Sequence, residues 1–150
     1  MYTLAVIDPQ LYCLPSKEDL PGYGPLLEVE REIATAKQLG CDIVIVIYPE
    51  MGPINPRINQ LLRGYNRVIR VEKQQWIGAR QLLAGCREFG FNTNFFRVCG
   101  WYTHRCLQTT VQGLSRALPN CRIQVVKKAC DDIEQNRWNT FPKLNNVELV

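Results

Sequence analysis

Histidine is almost missing from this 150-residue sequence, where His104 stands alone. A single imidazole and no Cys-x-x-Cys pair leave no zinc-ligand spacing. Runs of like charge are missing too. The formal net charge of +4 is scattered over separate basic residues, among them Arg63, Arg67, Arg70, Lys73, Arg80, Lys127 and Lys128. A nucleic-acid face needs basic clustering or interleaved aromatics, so no nucleic-acid partner is expected. No apolar stretch approaches the roughly 20 residues of a membrane span. No glycine-rich G-x-G-x-x-G follows the first apolar run, which removes the usual dinucleotide-binding fingerprint. Internal repeats, low-complexity tracts and linkers are also absent.

What is present describes one folded unit. With 46% hydrophobic and 21% charged residues, the balance is that of a globular protein, and the length suits one domain over 1–150. Met1 to Asp8 carries no basic leader, and its apolar run ends at Asp8, too soon for a signal peptide. The seven cysteines are odd in number. Cys41, Cys86, Cys99 and Cys121 lie in or beside apolar stretches, where a reduced thiol behaves as a small hydrophobe. The expectation is a reducing cytoplasm.

Short apolar runs alternate with amphipathic stretches. Thr3 to Ile7 reads as a strand ending at Asp8-Pro9. Residues 9–24 hold Pro9, Pro15, Pro21, Gly22 and Gly24, with Pro25 on the flank, and read as a loop. Leu26 to Leu39 carries a helical stripe of Leu26, Leu27, Val29, Ile33, Ala36 and Leu39, with Gly40 in the C-terminal cap position. Asp42 to Ile47 (DIVIVI) is apolar without alternation, as suits a strand covered on both faces of a parallel sheet. Tyr48 to Pro56 is loop, and Ile58 to Leu62 a short helical turn. Arg67 to Val71 is the third strand and Trp76 to Phe89 a helix closed by Gly90. Phe95 to Cys99 is the fourth strand and Thr103 to Leu118 a long helix. Arg122 to Val126 and Val147 to Val150 complete six strands. This βα alternation predicts an α/β fold: a doubly wound, mainly parallel six-stranded sheet with helices on both faces, Rossmann-like in connectivity. Ligands of such sheets bind beyond the strands' carboxyl ends, near the switch in strand order.

Three polar residues stand where apolar strands run out. Asp8 follows Leu4-Ala5-Val6-Ile7, Lys73 follows Val68 to Glu72, and Cys106 comes shortly after Phe95 to Cys99 and Gly100, near the start of a helix. Singly, each has a plain account: an aspartate there caps a turn, a lysine is solvated, a cysteine is buried. On one rim of a parallel sheet they form a chemical set. A helix start and an ammonium favour a thiolate, a carboxylate accepts the thiol proton, and backbone N–H groups at the helix start hold an oxyanion.

The order of three motifs carries a resemblance. Leu4-Ala5-Val6-Ile7-Asp8-Pro9-Gln10 resembles the opening strand, with its Asp-x-Gln, of the isochorismatase-like cysteine hydrolases, a superfamily that includes the nicotinamidases. Val71-Glu72-Lys73 is similar to the hydrophobic-x-Lys ending that family's third strand. Gly100 to Thr110 (GWYTHRCLQTT) looks like its Gly-x-x-(Thr/Ser)-x-x-Cys-Val-x-x-Thr segment. The resemblance implies an amidohydrolase with a catalytic triad of Asp8, Lys73 and Cys106. It implies a non-proline cis peptide at Trp101–Tyr102, and an oxyanion hole from the N–H groups of Tyr102 and Cys106. Gln10, Tyr48, Trp76 and His104 are expected in the substrate pocket, with Trp101 also in its wall.

The departures from that pattern are informative. The family's nicotinamidases bind a metal through an Asp and histidines after the second strand. Tyr48-Pro49-Glu50-Met51-Gly52-Pro53 offers no histidine, so no metal and no other cofactor is expected. Cys13 stands where an aromatic often follows Asp-x-Gln. The expected partner is a small-molecule substrate whose C–N bond is cleaved through a Cys106 thioester. Bulky aromatics around the site lead to the expectation of a homodimer or larger homo-oligomer. A non-catalytic binding or assembly subunit on the same fold is the alternative, and cleavage of a vinyl ether a further one.

Overall fold

The computed structural model describes residues 1–14 and 22–150. Its framework is a six-stranded sheet in the order β3-β2-β1-β4-β5-β6, with every neighbouring pair parallel. The strands are β1 (Thr3–Ile7), β2 (Asp42–Ile47), β3 (Val68–Glu72), β4 (Phe95–Trp101), β5 (Arg122–Asp131) and β6 (Val147–Leu149). The helices are α1 (Gly24–Gln38), α2 (Pro56–Leu62), α3 (Ala79–Phe89) and α4 (Gln108–Ala117). α1 packs with α2, and α3 with α4, giving a helical pair to each face. The loop expected over 9–24 lies partly outside the described residues.

Burial follows from the apolar runs. Leu4, Ala5, Val6 and Ile7 of β1 and Ile43 to Val46 of β2 have no exposed surface. Each fully buried Val, Leu or Ile contributes about 1.5–3 kcal/mol, so the two central strands anchor the domain. Edge strand β3 alternates buried Ile69 with exposed Arg70 and Glu72, as an edge should.

Three boundaries differ from the sequence reading by three residues or more. β5 runs on to Asp131, past the exposed Lys127 and Lys128, because a register shift between Val98 and Gly100 re-pairs Gly100 with Cys130. The helix expected from Trp76 begins only at Ala79: Gln75, with a left-handed φ of 62°, and Trp76 form a turn, and Gly78 is the N-cap. The helix expected over Thr103 to Leu118 opens with a π-helical turn, Thr103–Leu107, before α4. Such turns often occur at functional sites.

The sheet is built outward from β1. The chain crosses to β2 and β3 on one side, then returns to lay β4 on β1's other side. The switch point therefore lies between β1 and β4. Gly100 makes the approach there possible: a Cβ on it would meet the Ile7 carbonyl oxygen at 2.1 Å, and its φ is 129°. No other residue type fits.

Candidate active site

Asp8, Lys73 and the turn bearing Cys106 emerge on the same rim because their strands are parallel and in register. Ile7 pairs with Val46 and Gly100, and Ile47 pairs with Glu72. Asp8 takes a left-handed φ of 51°, and Tyr102, just after β4, one of 55°. Non-glycine residues held there cost about 1–3 kcal/mol each and cluster at functional sites. Both turns sit at the switch point.

Lys73 starts two strands away from Asp8. Its N–H donates to the Ile47 carbonyl at 2.9 Å, and its side chain crosses the end of β2. With strands about 4.8 Å apart, only a long side chain makes that crossing. Nζ donates to Asp8 Oδ2 at 2.6 Å, and it lies 5.9 Å from the centre of the Tyr48 ring. Asp8 and Lys73 are each 1% exposed. Asp8 Oδ1 is buried without a well-formed hydrogen bond. The Cys106 thiol shares a cavity wall with Asp8, and the charges of Asp8 and Lys73 act on its proton in opposite directions.

That balance runs opposite to the thiolate expected from sequence. Burial pushes the Cys106 thiol up to about 11, the Asp8 charge adds to the rise, and the Lys73 ammonium only partly offsets them. Burial also raises Asp8 above the usual carboxylate range, with Lys73 pulling it back. The resting arrangement is a neutral thiol beside a carboxylate–ammonium pair. Desolvation outweighs the partial positive charge of the helix start, and burial depends on the finished fold.

Asp8 and Cys106 open into a cavity of about 210 Å³, lined further by Tyr48, Met51, Trp76, Tyr102, Arg105 and Ile133. This is smaller than the 300–1,000 Å³ of drug-sized sites. A larger depression of about 510 Å³ between α1 and α2 includes Leu27, Arg57 and Leu61 but no nucleophile.

Three residues expected at the pocket lie elsewhere. Gln10 spends its whole amide on the loop after β2: Nε2 donates to the carbonyls of Tyr48 at 2.7 Å and Gly52 at 2.6 Å, and Oε1 accepts from Tyr48 N–H at 2.7 Å. It positions Tyr48 and does not face the cavity. His104 is tied to the segment after β5. Its N–H donates to Asp132 Oδ2 at 2.8 Å, its Nε2 accepts from Arg137 N–H at 2.7 Å, and its ring packs near Trp138. Trp101 is 2% exposed and donates from Nε1 to the Tyr23 hydroxyl at 3.3 Å; it is a core residue. The cis peptide expected at Trp101–Tyr102 is also corrected: no peptide bond among the described residues is cis. The left-handed backbone of Tyr102 and the φ of Gly100 turn the chain instead.

Tyr48, Trp76 and Tyr102 do line the cavity. Sequence reasoning missed Met51, Arg105 and Ile133 as lining residues. Arg105 had a signal available, since it precedes the cysteine within the quoted segment. Ile133, in the turn after β5, had none. All seven cysteines are free, and no group of three or more metal-ligating side chains occurs among the described residues. No helix of the described residues is long and apolar enough to cross a membrane.

No protein-family profile matches the chain, and no curated protein matches it significantly. Solved structures do. An N-carbamoylsarcosine amidase from Thermoplasma acidophilum superposes with a TM-score of 0.72 at 17% identity, covering 99% of this chain and 95% of that one. A nicotinamidase from Staphylococcus aureus gives 0.71 at 15% identity, covering 86% and 83%. An isochorismatase from Pseudomonas putida KT2440 gives 0.66 at 22% identity, covering 86% and 70%. The chain has the isochorismatase-like hydrolase fold.

Proposed function

We propose that this chain is a cysteine hydrolase that cleaves a C–N bond of a small amide through a Cys106 thioester. The observation that carries the reading is the buried Asp8–Lys73 pair, whose carboxylate shares a cavity wall with the Cys106 thiol while its Oδ1 is left unpaired. Asp8 takes the Cys106 proton as sulfur attacks the substrate carbonyl, forming the C–S bond. The N–H groups of Tyr102 and Cys106 hold the oxyanion. Asp8 returns the proton to the leaving nitrogen as the C–N bond breaks. Water then attacks the thioester with Asp8 as base, releasing acid and free thiol. Lys73 holds Asp8 in place and offsets part of the burial that disfavours its charge. No step draws on a cofactor.

Two of the similar structures bear amidase names, which supports an amide as the bond cleaved. The test is a panel of small primary amides and carbamoyl compounds, read by ammonia release, with an acyl adduct on Cys106 sought by mass spectrometry. Release that disappears in Cys106→Ala supports the reading; ammonia release that persists in it overturns the thioester.

The same reading includes a homodimer or larger closed assembly. Trp76 and Ile133 line the cavity yet are 57% and 74% exposed, and Tyr12 and Ile77 are 71% and 53% exposed. Exposed apolar surface of that kind favours a partner chain. Light scattering at micromolar concentration decides it, and a monomer mass removes the claim.

A further inference from the structure

We propose that the cavity takes amides that also carry a carboxylate, with Arg105 as the residue that selects the anion. For the reaction this rests on the hydrolase reading above; for binding it does not. The charges of the cavity wall carry the argument. Asp8 is already matched by Lys73 at 2.6 Å, so it offers no net charge to a ligand. Arg105 is the other charged side chain of the wall. Its acidic neighbour, Glu134, stands 3.8 Å away, at the outer limit of an ion pair, and the two side chains are 52% and 63% exposed. Glu134 is also shared with Arg137 at 3.8 Å. A pair so loose and solvated holds its guanidinium weakly. Glu50, in the segment after β2, accepts from the Tyr48 hydroxyl at 3.1 Å and is not part of the cavity wall.

A guanidinium presents a planar fork that matches a carboxylate in bidentate fashion. The rest of the wall, Tyr48, Trp76, Tyr102, Met51 and Ile133, suits a flat apolar body. A ligand with its amide at Cys106, a planar body between the rings and a carboxylate at the mouth uses every part of that wall.

The experiment compares two isosteric probes, 3-carbamoylbenzoate and benzene-1,3-dicarboxamide, which differ in one carboxylate. Binding is titrated by calorimetry and by Trp76 fluorescence on Cys106→Ala, which cannot turn either probe over. The acid should bind about tenfold or more tightly, as befits a hydrogen bond to a charged group, and the preference should shrink with added salt. In Arg105→Gln on the same background the preference should vanish while the diamide binds as before; Arg105→Lys should keep part of it. Equal binding of the two probes, no binding of either, or a preference that survives Arg105→Gln overturns the assignment. Turnover by the unmodified chain separates the two claims. An acid preference in binding without ammonia release from either probe counts against the hydrolase reading alone. Ammonia release from both probes at equal kcat/KM counts against Arg105 alone.

Discussion

Lys73 and Asp8 form an ion pair at 2.6 Å in which neither partner has more than 1% of its surface exposed. A buried pair of this kind is a weak source of stability, because desolvation consumes most of the Coulombic gain. Its value here is positional. The ammonium holds one carboxylate oxygen and leaves the other unpaired, on a residue that shares its cavity wall with Cys106.

Breaking the pair from one side should be costly. Lys73→Met leaves a carboxylate buried without its counter-charge, at about 3–5 kcal/mol. Adding Asp8→Asn removes that charge and should recover more than half of the loss, although both variants lose activity. Urea unfolding of the two single variants and the double variant, read as a double-mutant cycle, checks this. A Lys73→Met midpoint equal to that of the unmodified chain would falsify the pairing.

The thiol should report its own environment. Burial and Asp8 raise Cys106 from 9.0 to about 11, so the folded chain keeps a proton that the unfolded chain has already lost. The stability this contributes is complete below pH 9 and lost as pH climbs toward 11. Unfolding free energies of the unmodified chain and Cys106→Ser should therefore diverge by less at pH 11 than at pH 8. The buried Cys86, raised to about 12, affects both chains alike. Iodoacetamide should label Cys106 at pH 7 no faster than a free thiol of pKa about 8.5, and faster with each step in pH beyond 9. A labelling plateau below pH 8 would mean a standing thiolate.

What could be read in advance divides along sequence distance. β-branched runs such as Asp42 to Ile47 marked the central strands, and the positions of Asp8 and Lys73 at strand ends followed from them. Gln10 and His104 look like pocket residues on a motif, but their partners, Tyr48 with Gly52 and Asp132 with Arg137, lie about 30 to 40 residues away. Nothing local records that. Ile133 reaches the cavity only because β5 extends to Asp131 through a register shift, which no periodicity reveals. The sign of the Cys106 shift depends on burial and so on the finished fold.

Gly100 should tolerate nothing larger. A Cβ at 2.1 Å from the Ile7 carbonyl, with further contacts of 2.7 and 2.9 Å on the same residue, meets backbone and cannot be relieved by rotating a side chain. Gly100→Ala should force β1 and β4 apart just beneath Asp8 and Cys106. The loss belongs among the exceptional ones of more than about 4 kcal/mol. Insoluble expression, or a large fall in melting temperature by calorimetry, is the expected result. A melting temperature within a degree of the unmodified chain would mean that the strands part easily there.

The two tryptophans nearest the site should separate stability from binding. Trp101 is buried, with its indole N–H on the Tyr23 hydroxyl at 3.3 Å. Trp101→Ala opens a core cavity and should cost about 3–5 kcal/mol, so any fall in its activity reflects unfolded protein. Trp76 is 57% exposed and lines the cavity. Trp76→Ala should leave stability within about 0.5 kcal/mol while raising KM for a flat amide, because one aromatic wall is gone. Urea midpoints read beside KM on folded protein distinguish the two. If Trp76→Ala loses stability and keeps its KM, the ring packs for the fold, and the wall of the cavity must be drawn without it.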